Sequence, residues 1–409
     1  MARLPPSVAR LRVAVRDALA DLPADALVLA ACSGGPDSLA LADTLAFCAP
    51  RMGLRAGLVS VDHGLQEGSA ARAAGVAAWA RTVGFDPAEA VTVEVGEAGG
   101  PEGAARQARY AALDAAARRH GASAILLGHT RDDQAETVLL ALVRGAGPRG
   151  IAGMRAVRGP YRRPLLGIAR SDTHAACAER GLRPWADPHN SDPRYLRSAL
   201  RPALDALVGV LGEDLVPNLA RTAALVAADT DHLDALGAAA LEECRTGHGA
   251  AADATARRET AGLDAKRLGA LPDPVRRRAL RAWVLESGVN GAELNHRHLD
   301  ALDALVADWR GQGPTFLPGG IAVRRADGEL TTERTIAGQP EGLSAAGLWI
   351  PGFPGCPKGP TIRDRRAAFG GAGGVQWGGR AGAGRPARSL RRPRARRPRF
   401  RSVPRGCDR

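Results

Sequence analysis

Val28-Leu29-Ala30-Ala31-Cys32-Ser33-Gly34-Gly35-Pro36-Asp37-Ser38, followed at once by Leu39-Ala40-Leu41-Ala42, is the stretch that decides the fold. A short apolar run enters a turn of small residues and leaves it as an apolar helical pattern. The segment therefore reads as a strand, a phosphate-sized loop and a helix N-terminus. Two adjacent glycines let the main chain approach an anion closely, and the N–H groups and macrodipole of a helix start favour negative charge there. Ser33 and Ser38 add hydroxyl donors. Asp37 is the odd member, because a carboxylate beside a phosphate makes sense mainly with a bridging Mg²⁺. The loop is not a Walker A loop: it lacks the G-x-x-x-x-G-K-S/T spacing and has no nearby lysine.

Working outward, apolar runs and helical patterns alternate. Ser7 to Ala20 reads as a helix. After the loop a helix runs to about Phe47, and Leu54 to Val61 is a second strand that ends in Asp62-His63-Gly64-Leu65. Ala70 to Val83 is helical, Ala90 to Val95 a third strand, Glu102 to Arg119 helical, Ala124 to Leu127 a fourth strand and Asp132 to Val143 a helix. This alternation predicts an α/β domain with a doubly wound parallel sheet, whose ligands bind outside the carboxyl ends of the strands. From about Pro193 to His298 the chain reads as helix after helix without strand candidates, a second and smaller all-helical domain. A small hairpin over Gly313 to Thr332 closes it. The expected domains are residues 1–190, 191–335 and a 336–409 linker and tail.

The net charge of +13 lies in the tail: residues 361–409 hold 15 arginines against Asp364 and Asp408, and the rest of the chain is balanced. Beyond about Leu348 the sequence is rich in Gly, Pro and Arg without apolar periodicity and is expected to be disordered. Two readings of it stand. One is a polybasic arm that gains RNA affinity by counterion release. The other is a frameshift product of a GC-rich gene, in keeping with a chain whose only lysines are Lys266 and Lys358. The six cysteines form no C-x-x-C pair, which argues against a zinc or iron–sulfur site and fits a reducing cytoplasm. No apolar run of about twenty residues occurs, and Met1 to Ala20 lacks a signal-peptide pattern, so no membrane association is expected.

Two further motifs fall at strand ends. Gly128-His129-Thr130-Arg131-Asp132-Asp133-Gln134-Ala135-Glu136-Thr137 opens a helix with Asp132, Asp133 and Glu136 within one turn. Such acids hold Mg²⁺, grip an ammonium or act as a base; helix capping is the plain structural alternative. Arg106, Arg109 and Tyr110 share one helix turn, where the arginines suit a phosphate or carboxylate unless they are only a solvated face paired with Glu102.

Ser33 to Ser38 resembles the pyrophosphate loop of the N-type ATP pyrophosphatases. With Asp62-His63, Arg106, Arg109-Tyr110 and the Gly128 to Thr137 motif in this order, the chain resembles the tRNA(Ile)-lysidine synthases. The likeness continues through Gly150-Ile151-Ala152-Gly153-Met154, Arg163-Pro164-Leu165-Leu166, Asp187, Asn190, Arg197 and Leu317-Pro318-Gly319-Gly320. It departs at Ser198, where the family often carries Asn, and after residue 350, where no further RNA-binding domain is legible. The resemblance implies an ATP- and Mg²⁺-dependent ligase of adenine nucleotide α-hydrolase-like fold. Such an enzyme adenylates C2 of the wobble cytidine of a CAU-anticodon isoleucine tRNA and then joins free lysine to it. It further implies that Ser33, Gly34, Gly35, Pro36, Asp37, Ser38, Asp62 and His63 bind the nucleotide, with Asp37 as the metal partner. Arg106, Arg109, Asp132, Asp133 and Glu136 would meet substrates, and Asp133, Arg109, His129 and Asp37 would be the catalytic set. A thiolating tRNA enzyme on the same loop and a non-catalytic RNA-binding protein are the alternatives, and the sequence is compatible with a homodimer.

Overall fold

The computed structural model describes residues 4–64, 66, 68–96, 100–185, 196–246, 262–291 and 293–334. Leu65, Asp187, Asn190, the expected boundaries at 190/191 and 335/336, and the whole tail lie outside these residues.

Strand β1 (Leu27–Ala31) is the centre of a six-stranded sheet. Its alternation splits the core in two. Val28 and Ala30 pack with Leu11 and Val15 of helix α1 (Pro6–Leu19), Leu41 and Leu45 of α2 (Pro36–Arg51) and Ala80 of α3 (Ser69–Thr82). Leu27 and Leu29 face the other way, onto Leu113 and Ala116 of α4 (Gly100–His120). Period-two side-chain direction with helices on both faces is what a doubly wound sheet requires.

The strand order is β3 (Ala88–Thr92), β2 (Arg55–Asp62), β1, β4 (Ala124–Leu127), β6 (Tyr161–Arg162) and β5 (Val157–Arg158). The pairings are parallel except that of β5 with β6. The topological switch point lies between β1 and β4, and there the loop before α2 meets the loop before α5 (Arg131–Val143). A Cβ on Gly128 would lie 3.0 Å from the Ser38 Cα and 3.2 Å from the Asp37 carbonyl carbon, so the two loops touch through main chain. Predicted limits hold to within a few residues. The third strand begins and ends earlier than its apolar run, and α2 continues through Pro50 because Cys48 and Ala49 are still core residues.

After a short helix α6 (Gly147–Ile151), helix α7 (Arg170–Glu179) returns to α1 and α2, burying Ala176 and Cys177 in their core. Helices α8 (Leu196–Leu211) and α9 (Leu215–Cys244) follow. Asp234 of α9 accepts from Arg149 of α6 at 2.5 Å and from Arg278 of α11 (Asp273–Glu286) at 3.0 Å, tying the segments together.

The second half is not all-helical. β7 (Leu263–Asp264), β10 (Glu329–Arg334), β9 (Ile321–Ala326) and β8 (Thr315–Leu317) form an antiparallel sheet in that order, beside α10 (Ala265–Gly269) and α12 (His296–Ala307). The expected hairpin is thus part of a four-stranded sheet. β7 is two residues long and has no alternation to read; Leu263, fully buried and paired with Leu330, makes it a strand through tertiary contact.

Candidate active site

The loop before α2 is built as its composition dictates. Gly34 sits at φ +84°, and a Cβ there would come within 3.0 Å of Val76, so glycine alone fits. Gly35 caps α2 in an extended conformation and Pro36 is its first residue. The Ser38 hydroxyl works inside the loop, donating to the Gly35 carbonyl at 3.0 Å and accepting from the Ser33 N–H at 3.2 Å. Ser33 itself is exposed.

Asp62 and His63, at the carboxyl end of β2, line a pocket with Ser33, Ser60, Gln66 and Ser69. Its wall is the Arg72 guanidinium stacked 3.5 Å over the Trp185 ring, whose backbone N–H bonds the Gly34 carbonyl at 2.9 Å. Burial pushes the Asp62 carboxyl up, but bonds from Ser69 and the Gly64 N–H hold it below the usual range. His63 is held below the ordinary imidazole range by burial and by the Arg109 charge.

Across the switch point, Thr130 and Asp133 cap α5 reciprocally: the Thr130 N–H and hydroxyl donate to Asp133 Oδ2 at 2.7 and 2.9 Å. The capping alternative is therefore real for Asp133, but it engages only one oxygen. Oδ1 accepts from Arg170 Nη2 at 2.8 Å, and the same Nη2 lies 2.9 Å from Glu136 Oε1. Arg201 Nε reaches that Oε1 at 3.0 Å. Asp132 uses Oδ2 to accept the Arg170 main-chain N–H at 2.8 Å, serving as a cap from another helix where Ala169 offers none.

Asp37 completes the group. The Thr173 hydroxyl hydrogen-bonds its Oδ1, and Arg170 Nε stands 4.0 Å from its Oδ2. Burial pushes the Asp37 carboxyl up, Thr173 pulls it back, and Asp133 pushes it up again; the net shift is upward. Asp37, a half-buried carboxylate whose nearest guanidinium among the described residues stands at 4.0 Å, lies next to an anion-binding loop and fits Mg²⁺. That ion takes one or two protein carboxylates and fills its shell from phosphates and water. Among the described residues no group of three or more His, Cys, Asp or Glu forms a closed cage for a metal.

The remaining predicted residues meet at His129. Burial pushes its imidazole down to about 3; Asp133 opposes this, and Arg109, Arg163 and Arg106 add to it. Arg106 and Arg163 each donate to the Tyr110 hydroxyl at 3.2 Å. His129 is thus neutral at pH 7 and not a resting acid. Because its folded value lies below the unfolded one, it contributes stability that is fully present above pH 6.5 and lost as the pH falls toward 3. In urea unfolding at pH 7.5 and 5.5, His129→Asn is expected to lose less stability on acidification than the parent. Because the two pH values bracket the unfolded value of 6.5, the difference for one proton is about 1.4 kcal/mol in total. Parallel pH curves for the two proteins would mean that His129 titrates normally.

The sequence therefore points to nearly every carboxylate here, and the structure brings them together, but it does not reveal Arg170, Thr173, Arg201 or Trp185. The one available signal was charge: three acids in a single helix turn demand counter-ions from elsewhere in the fold.

Comparison with known proteins agrees with this layout. Residues 9–207 match the PP-loop domain family and residues 263–331 the TilS substrate binding domain family. A tRNA(Ile)-lysidine synthase of Salinispora tropica is 56% identical over 337 residues, covering 81% of this chain and 98% of its own. Those of Thermobifida fusca and Streptomyces coelicolor are each 54% identical, covering 80% and 76% of this chain and 97% and 86% of their own. By the arrangement of its site and by these matches, the chain belongs to the tRNA(Ile)-lysidine synthase family.

Proposed function

We propose that this protein is an ATP-dependent ligase that joins free lysine to C2 of the wobble cytidine in a CAU-anticodon isoleucine tRNA. The product, lysidine, pairs with A instead of G. The observation that carries the reading is the contact, at one switch point, between an anion-binding loop and a cluster of carboxylates. One half suits a triphosphate and the other an amine. The match to a substrate-binding domain of this family over residues 263–331 separates the reading from tRNA thiolation on the same loop.

In the first step the cytosine C2 oxygen attacks the α-phosphorus of ATP and pyrophosphate leaves. The main chain of Ser33 to Ser38 and the N-terminus of α2 cradle the phosphates, while the pocket at Asp62 and His63 takes the nucleoside. Asp37 would hold Mg²⁺, which when bound offsets the charge of the leaving pyrophosphate. Arg109 and Arg106, beside neutral His129, are the side chains we assign to the anion. In the second step the ε-amine of lysine attacks C2 and AMP departs with the former C2 oxygen. Asp132, Asp133 and Glu136 orient the ammonium, and one carboxylate accepts the proton it must lose. Among the described residues no helix is long and apolar enough to cross a membrane, and the cytoplasm, where tRNA, ATP and lysine coexist, is the compartment we assign.

The test is pyrophosphate release by the full chain with ATP, Mg²⁺ and CAU-anticodon isoleucine tRNA, with and without lysine. Release that depends on the tRNA, with lysine becoming attached to the RNA, is expected. Release indifferent to both would keep the loop's chemistry and overturn the substrate assignment.

A further inference from the structure

Every carboxylate of the cleft is touched by one helical turn, Arg170 to Thr173 at the start of α7. The Arg170 side chain bridges Asp133 Oδ1 and Glu136 Oε1, its main-chain N–H holds Asp132, and Thr173 holds Asp37. Glu136 is 1% exposed and uses its oxygens unequally. Oε1 is shared by Arg170 and Arg201, whereas Oε2 is buried and has no hydrogen-bond partner among the described residues. An orphaned buried acceptor costs about 1–3 kcal/mol, more when it is charged, so Oε2 stands to gain from a donor brought by a ligand. Among the described residues, the ion pairs of the cluster join three carboxylates (Asp37, Asp133 and Glu136) to two guanidiniums, Arg170 and Arg201. An ammonium brings three N–H donors and one positive charge.

We infer that Arg170 is the positioning residue of the amine step: by fixing Asp133 and Glu136 through Oδ1 and Oε1, it turns Glu136 Oε2 toward the incoming lysine ammonium. The inference rests on the lysine-ligase reading given above. Arg170 reaches the acids from outside the nucleotide pocket and is not among the residues lining it. Its removal leaves the acids repelling one another with Oε2 unaimed, so the effect falls on amine binding. The other arrangement, in which the guanidinium merely plugs the amine site, makes the opposite prediction, because a plug removed improves lysine binding.

The experiment compares full-length R170M and R170K with the parent enzyme, using ATP, Mg²⁺ and CAU-anticodon isoleucine tRNA. Pyrophosphate release is followed first without lysine, then lysine attachment is followed across lysine concentrations. R170M is expected to raise the KM for lysine at least about tenfold, a factor clearly larger than its effect on lysine-independent pyrophosphate release, and R170K to recover part of the loss. Equal falls in both steps would make Arg170 a structural brace. An unchanged or lower lysine KM would remove the positioning role outright. If R170M does not fold, R170K is judged by the same split between the two steps. A parent enzyme that releases no tRNA-dependent pyrophosphate, or attaches no lysine, would defeat the parent reading and this inference with it, before any variant is compared.

Discussion

Asp37→Ala is expected to lower tRNA-dependent pyrophosphate release by about 10²–10³-fold while tRNA affinity stays within about threefold. The expectation follows from the position of the carboxylate. Asp37 lies in the first turn of α2, one residue from the glycine loop, and is the acid in contact with both Thr173 and the edge of Arg170. Burial and the nearby Asp133 make its charge unfavourable in the free protein, so keeping it there requires a return during the reaction. A cation shared with the triphosphate supplies that return. Stability moves little. The lost helix-start charge is worth about 0.3–1 kcal/mol, and relief of a buried carboxylate offsets it. Filter binding of labelled tRNA and a coupled pyrophosphate assay read the two effects separately. Loss of tRNA binding with residual adenylation would refute the assignment of Asp37 to the metal.

The difference between what the chain announces and what it hides is physical. β1 and β4 are legible because a central strand of a doubly wound sheet is apolar on both faces; Val28 and Leu29 enter different cores and still both have to be apolar. The loop is legible because Gly34 needs a backbone conformation that side chains resist. The acids of α5 are legible because they lie within one turn of sequence. Arg170 is separated by 34 residues from Glu136, and nothing local marks it out from the neighbouring arginines; only the return of α7 to the switch point gives it partners. Likewise the neutral state of His129 is set first by its burial and then by arginines of α4 and of the segment after β6, none of which any spacing around residue 129 encodes. The strand β7 is illegible for a simpler reason: two residues carry no period.

Asp133→Asn is expected to cut lysine attachment by at least about 100-fold and to cost about 1–3 kcal/mol of folding stability, as when a partly buried hydrogen-bond donor is left unpaired. The substitution is nearly isosteric, so the effect comes from hydrogen-bond polarity rather than from a cavity. Asp133 accepts with both oxygens: Oδ2 takes the Thr130 N–H and hydroxyl, and Oδ1 takes Arg170. An amide has one acceptor oxygen and one NH₂. If the oxygen keeps the cap, the NH₂ faces the Arg170 guanidinium, donor against donor. If the amide flips to satisfy Arg170, the cap is broken and its NH₂ faces the Thr130 N–H. Either way a buried donor is left unpaired, and Arg170 loses the charge that opposes its burial. Glu136→Gln is the control, since it alters the same acid pair without touching the helix cap. It should reproduce the loss of lysine attachment with a smaller loss of stability, because Oε1 still accepts from both arginines. Denaturant titration beside lysine attachment to the tRNA separates the two consequences. A D133N enzyme that attaches lysine normally yet unfolds early would reduce Asp133 to a helix cap and leave Glu136 alone as the acid that meets the amine.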